Sequence, residues 1–143
     1  MARANKRQQS KGSSGFNKKN SLEFLEKNRH KPGVITTNSG LQYLVIEDSN
    51  ETKPTINNTV TVHQRISLID GTLIDDTYKR SDPLSFTMKE AIEGYREGLF
   101  MMGVGSRYRF YIPSELAWGK RGAGNKIGPN SVLIIDARLI KIV

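Results

Sequence analysis

Alternation between apolar and polar positions is clearest near the end of the chain. Across residues 107–112, Tyr108, Phe110 and Ile112 point one way and Arg107, Arg109 and Tyr111 the other, the period of a half-buried strand. Pro113 lacks an amide donor and closes that run. In the last run, Leu133, Ile135, Ala137 and Leu139 share one face, opposite Val132, Ile134, Asp136, Arg138, Ile140 and Ile142. A run apolar on most of both faces predicts an interior strand. About 18 residues join the two runs, rich in glycine and holding the only tryptophan, Trp118. Hairpin loops typically have about 2 to 5 residues, and longer ones tend to carry function, so this segment is expected to overhang a pocket.

Upstream, residues 41–46 predict a strand and 49–58 a polar, turn-rich connection. Residues 59–69 predict the next strand, whose even positions read Val60, Val62, Gln64, Ile66 and Leu68. Gln64 therefore stands on the apolar face, either as a core amide or as a polar group lining a cavity; a buried amide needs partners in both cases. Asp70-Gly71 is a hairpin signal, residues 72–76 continue as a strand, 78–83 as a polar loop, and 84–86 as a short strand. Thr87 with Glu90 makes a capping box. Ile92, Tyr95, Leu99 and Met102 then form one helical stripe, ended by Gly103-Val104-Gly105. Antiparallel strands with essentially one amphipathic helix to cover a face give an α+β fold.

The formal charge of +8 is uneven: residues 1–31 carry nine Lys or Arg against Glu23 and Glu26, while the rest has 13 basic and 12 acidic side chains. Residues 1–19 are too polar to offset their ordering entropy and are expected to be disordered. Asn20 and Glu23 predict the start of a short helix through Leu22, Leu25 and Asn28, stopped by Pro32-Gly33. The basic arm allows weak, non-specific nucleic-acid contact through residues 1–20; no aromatic residue is interleaved among the first 15 for stacking on bases.

The chain has no cysteine, which excludes disulfides, thiolate metal sites and a cysteine nucleophile. No apolar run approaches the roughly 18 residues of a membrane span. The N-terminus begins at Met1 and lacks the apolar core of a secretory leader, so a cytoplasmic chain is expected. His30 and His63 lack partners for nucleophilic or metal chemistry. Asp75 and Asp76 are neighbours on a strand and face opposite ways, which argues against a carboxylate pair. GKRGAGNK over residues 119–126 has Asn125 where a P-loop needs lysine, and no G-x-S-x-G elbow is present.

Ile112-Pro113-Ser114-Glu115-Leu116-Ala117-Trp118-Gly119, followed by Gly122-Ala123-Gly124 and by residues 127–134 (IGPNSVLI), resembles the FKBP-type peptidyl-prolyl cis-trans isomerases, in particular the bacterial Mip-like subgroup. The resemblance implies an antiparallel, strongly twisted sheet of about five strands wrapped around one amphipathic helix. It divides the chain into a basic disordered tail with a short helix (1–33) and an isomerase domain (34–143). Most of the long dimerising helix of Mip-like proteins is missing, so a monomer is expected.

The resemblance also assigns a proline pocket. Asp75, Tyr95 and Trp118 take the catalytic positions; Gln64, Ile74, Phe86, Ala91, Ile92, Ile127 and Ile135 take substrate-binding ones. No cofactor is implied, and the substrates are proline-containing polypeptides. Gln64, Ile74, Leu84 and Ile135 stand where the family usually has aromatics, Tyr95 replaces a tryptophan, and Trp118 replaces a tyrosine. A less aromatic pocket should bind macrolide ligands such as rapamycin with reduced affinity. Isomerisation of X-Pro bonds as a folding helper is the expected activity. The alternative is a catalytically weak binding or chaperone module tethered to ribosome or nucleic acid by its tail.

Overall fold

A computed structural model describes residues 13–143 of the chain. Seven strands form one sheet: β1 (Ile35–Thr36), β2 (Gln42–Glu47), β3 (Thr59–Ser67), β4 (Leu73–Asp76), β5 (Leu84–Thr87), β6 (Arg107–Ile112) and β7 (Leu133–Ile142). The order is β1-β2-β6-β7-β3-β4, with β5 also on β3, and every pairing is antiparallel. β3 is long enough to serve two partners on one edge, β5 against Thr59–Val62 and β4 against Arg65–Ser67. The sheet exceeds the expected five strands partly because β1 is two residues long, too short to show a period.

Helix α1 spans Ser14–Asn28, α2 is a single turn over Thr77–Arg80, and α3 covers Glu93–Leu99. The core lies between α3 and one sheet face, where Val60, Val62, Phe110, Ile112, Ile135 and Leu139 meet Tyr95 and Leu99. Gly94 and Gly98, one turn apart on α3, set that contact. A Cβ on Gly94 would come within 2.5 Å of Ile112, and one on Gly98 would overlap the Phe110 ring. Asp136, on the opposite face of β7, is 7% exposed and ion-paired to Arg107 (2.8 Å) and Arg109 (3.1 Å) of β6. No described helix is long and apolar enough to cross a membrane.

Three local expectations are corrected. First, the helix expected from Asn20 begins at Ser14, where Ser13 caps it by accepting from the Phe16 N–H at 3.2 Å. Residues 14–19 are thus helical rather than disordered; residues 1–12 of the expected disordered tail lie outside the described residues. Contacts far away in sequence hold this turn, and local composition does not register them. Second, the Thr87–Glu90 capping box exists, with Glu90 accepting from the Thr87 N–H (2.8 Å) and hydroxyl (2.9 Å), but it opens only a 3₁₀ turn over Met88–Glu90. Ala91 and Ile92 are extended (ψ 144° and 154°) before α3 starts. Ile92 is therefore the N-cap, and Met102 falls beyond the helix. Third, residues 77–80 make a helical turn inside the expected loop, because the Asp76 carboxylate caps it by accepting from the Lys79 N–H.

Candidate active site

The broken helix, the core face of the sheet and the β6–β7 segment enclose a cavity of about 340 Å³. Gln64 and Ile66 of β3, Ile74 of β4, Leu84 and Phe86 of β5, and Leu133 and Ile135 of β7 form its walls. Tyr95 closes the floor at 5% exposure, its ring 5.6 Å from Phe86 and 6.2 Å from Phe110. Glu90, Ala91 and Ile92 complete the helix side, with Trp118 and Ile127 from the connecting segment.

The break before α3 is held by one side chain. Arg96 donates to the carbonyls of Met88 (3.0 Å), Lys89 (3.0 Å) and Ala91 (2.8 Å), so the 3₁₀ turn and α3 keep a fixed offset that turns Ala91 and Ile92 toward the cavity. Sequence reasoning did not single out Arg96, since a charge on an amphipathic helix reads as solvated. Ile66, Leu84, Glu90 and Leu133 also join the lining beyond the predicted set. Ile66 shares the β3 face with Gln64, and that period was the signal for it.

Polar groups in the cavity are few and interlocked. The Tyr95 hydroxyl donates to Gln64 Oε1 at 2.9 Å, Gln64 Nε2 donates to Asp75 Oδ2 at 2.8 Å, and Arg80 donates to Asp75 Oδ1 at 2.7 Å. Gln64 thus has both amide ends occupied while lining the wall, which joins the two readings left open for it. Burial pushes the Tyr95 hydroxyl well above the usual phenol range, so it stays a neutral donor. For Asp75, burial works upward, but the hydrogen bonds from Gln64 and Arg80 outweigh it and hold the carboxyl below its ordinary value.

The cavity brings nine of the ten predicted site residues together: Gln64, Ile74, Phe86, Ala91, Ile92, Tyr95, Trp118, Ile127 and Ile135. Asp75 is placed differently. It lines a neighbouring depression with Asp76, Lys79, Arg80 and Lys126, and meets the cavity through Gln64. The Asp76 carboxylate is turned from the main cavity, pairing with Arg65 at 3.6 Å, and His63 packs against Tyr78 on the outer face.

Trp118 is 45% exposed at the cavity mouth. It follows the 3₁₀ turn Ser114–Leu116, and the segment folds back through Gly119, Gly122 and Gly124, all with positive φ, to an Ala123–Ile127 bridge. At Gly122 a Cβ would overlap the Ile127 carbonyl, so glycine is required there on two counts. Among the described residues neither the Trp118 indole N–H nor the Ile92 main-chain N–H has a hydrogen-bond partner. Two free donors thus belong to residues lining an otherwise apolar hollow.

The pattern of a family described as FKBP-type peptidyl-prolyl cis-trans isomerase matches residues 50–140, and that of the domain amino-terminal to such isomerases matches residues 1–45. The chain belongs to the FKBP-type peptidyl-prolyl cis-trans isomerase family. Peptidyl-prolyl cis-trans isomerase Mip of Coxiella burnetii is 42% identical over 126 residues, covering 88% of this chain and 55% of that one. The FKBP-type 22 kDa peptidyl-prolyl cis-trans isomerase of Escherichia coli is 41% identical over 121 residues, covering 85% and 59%. The chain therefore spans little more than half the length of these relatives. Among solved structures, FkpA from Escherichia coli superposes with a TM-score of 0.86 at 37% identity, covering 90% of this chain and 60% of that one. A peptidyl-prolyl cis-trans isomerase from Pseudomonas syringae pv. tomato gives 0.83 at 29% identity, covering 90% and 95%. Both superpositions extend over the FKBP-type fold described above.

Proposed function

We propose that this chain accelerates cis-trans rotation about X-Pro bonds in polypeptides. The observation that carries the reading is the apolar cavity walled by Ile66, Ile74, Phe86, Ile135 and Tyr95, in which the Tyr95 hydroxyl and the Gln64 amide are engaged with protein partners. Resonance flattens the X-Pro amide and sets a barrier of about 18–20 kcal/mol. Water stabilises the charge-separated planar amide more than the twisted one. A pyrrolidine ring held in this cavity leaves that water behind, and the twisted state then costs less relative to the planar one. The Trp118 N–H supplies a donor for the carbonyl as it leaves the plane. No bond is broken, so the chain needs no nucleophile. Family membership, and relatives named peptidyl-prolyl cis-trans isomerases, support the same reading.

The proposal extends to clients: proline-containing polypeptides whose folding waits on isomerisation, with a chaperone-like holding role in the same cavity. It takes the chain as a cytoplasmic monomer with weak nucleic-acid contact through residues 1–20, and macrolides as ligands weakened by the loss of pocket aromatics. The test is refolding of a protein whose slow phase is a proline isomerisation, which takes tens of seconds unaided. Substoichiometric chain should shorten that phase. An unchanged slow phase, with only the yield of folded protein improved, would favour the non-catalytic module instead.

A further inference from the structure

Helix α1 makes contacts that packing alone does not explain. Phe16 and Leu22 are 62% and 56% exposed, so its first turns do not dock through apolar burial. Instead, three polar side chains spaced three and four residues apart, and hence on one helical face, reach the same point of the β6–β7 segment. Asn17 Nδ2 donates to the Pro129 carbonyl at 2.9 Å, and Ser21 Oγ donates to the Asn130 carbonyl at 2.7 Å. In return, Asn130 Nδ2 donates to Ser14 Oγ at 2.7 Å and to the Ser14 carbonyl at 3.2 Å.

Asn130 is built for this position. It is 8% exposed and sits at φ 57°, a left-handed conformation that asparagine tolerates better than most side chains. That conformation directs its main-chain N–H to the Gly119 carbonyl at 2.8 Å. Gly119 is the residue after Trp118. One asparagine therefore connects the helix to the base of the tryptophan. The far end of α1 is anchored separately on the sheet: Asn28 Nδ2 donates to Gln42 Oε1 at 2.8 Å, Gln42 Nε2 donates to the Leu25 carbonyl at 3.0 Å, and Phe24 lies 6.1 Å from the Tyr111 ring. The helix thus spans from β2 and β6 to the glycine-rich flap.

We propose that α1 is a brace that holds the flap over the cavity, with Asn130 as the positioning residue that fixes Trp118; this rests on the isomerase reading above. Glycines at 119 and 122 give the flap backbone more conformations to choose from than residues with side chains would. Tying its returning segment to an anchored helix narrows that choice before substrate arrives, and a donor already in place acts on the twisted amide without first being ordered. The walls that hold the proline ring come from β3, β4, β5, β7 and α3 and take nothing from α1. Loosening the brace should therefore lower kcat and leave KM nearly unchanged.

The lone tryptophan makes the test direct. Asn130→Gly keeps the left-handed backbone and its N–H while deleting the side-chain bonds to Ser14; Ser14→Ala with Ser21→Ala weakens the tie from the helix side by removing the two bonds that use serine hydroxyls. Ser21→Thr keeps a hydroxyl and serves as the conservative control. With each variant shown to be folded by circular dichroism, time-resolved anisotropy and acrylamide quenching of Trp118 are measured beside kcat and KM for a proline peptide. The brace predicts faster local motion and stronger quenching in the first two, kcat lower by about three- to tenfold, KM within about twofold, and near-native behaviour of Ser21→Thr. Unchanged Trp118 motion, or a loss carried by KM, would overturn it. If the wild-type chain shows no isomerase activity, the functional reading fails, and the brace is decided by the anisotropy comparison alone.

Discussion

Two residues show how much hangs on single atoms in this cavity. Gln64 stands where a hydrophobic residue would fit the period of β3, yet both ends of its amide are engaged, by Tyr95 on one side and Asp75 on the other. Gln64→Leu would leave a buried phenol hydroxyl without an acceptor, a penalty of about 1–3 kcal/mol. Urea denaturation should show that loss as a lower midpoint with an unchanged slope. Trp118 contributes differently, since its indole N–H has no partner among the described residues. Trp118→Phe retains a ring and removes the donor. A neutral hydrogen bond is worth about 0.5–1.5 kcal/mol, so kcat/KM for a proline peptide should fall by about two- to tenfold with stability unaffected. A variant as active as wild type would remove the indole from the mechanism.

At the scale of elements, the meeting of α3 with β6 decides where the cavity floor lies. The helix is only seven residues long, and the absence of side chains at Gly94 and Gly98 lets it approach the sheet closely. Gly98→Ala has better helix propensity and in an exposed helix would stabilise. Here its methyl overlaps the Phe110 ring, which is fully buried and cannot move aside freely. Overpacking of this kind costs about 1–3 kcal/mol, and the thermal midpoint should drop accordingly. A rise would mean that α3 can lift off the sheet without loss. The same short helix shows why a hydrophobic stripe is an incomplete guide. Ile92, Tyr95, Leu99 and Met102 have helical spacing, but Met102 lies beyond the Phe100 C-cap, and Ile92 lies before α3 because three hydrogen bonds from Arg96 hold a preceding turn that periodicity does not encode.

For the molecule as a whole, the alternating patterns of β3, β6 and β7 located the sheet and its buried face correctly, down to Phe110, Ile135 and Leu139 in the core. They are long strands with one consistently apolar side, and side-chain period is all that such strands require. The polar ties between distant segments were not legible: Ser14, Asn17 and Ser21 to residues 129–130, Arg96 to the turn before it, and Arg80 to Asp75. Each joins ordinary surface-type residues, whose roles depend on which element faces them. The outer-face pairing is of this sort as well. For Asp136, burial works upward, but the Arg107 and Arg109 guanidiniums outweigh it and hold the carboxyl below 3.8. A depressed folded-state value adds stability that is fully present above 3.8 and is lost as pH falls through the lower folded value. Asp136→Asn should therefore cost about 1.5–3 kcal/mol at pH 7, and its deficit relative to wild type should shrink as pH falls below 3.8. A deficit that stays constant with pH would show that the carboxylate charge is not what ties β6 to β7.

The central claim is that an X-Pro bond rotates inside the apolar hollow beneath Trp118. Exchange NMR on a short peptide containing one X-Pro bond, with the chain at a small fraction of the peptide concentration, addresses it most directly. Cis-trans exchange should rise from the uncatalysed scale of tens to hundreds of seconds to well within the mixing time, and Trp118→Phe should reduce that rise. Peptide shifts that report binding while the exchange rate stays at its uncatalysed value would contradict the account.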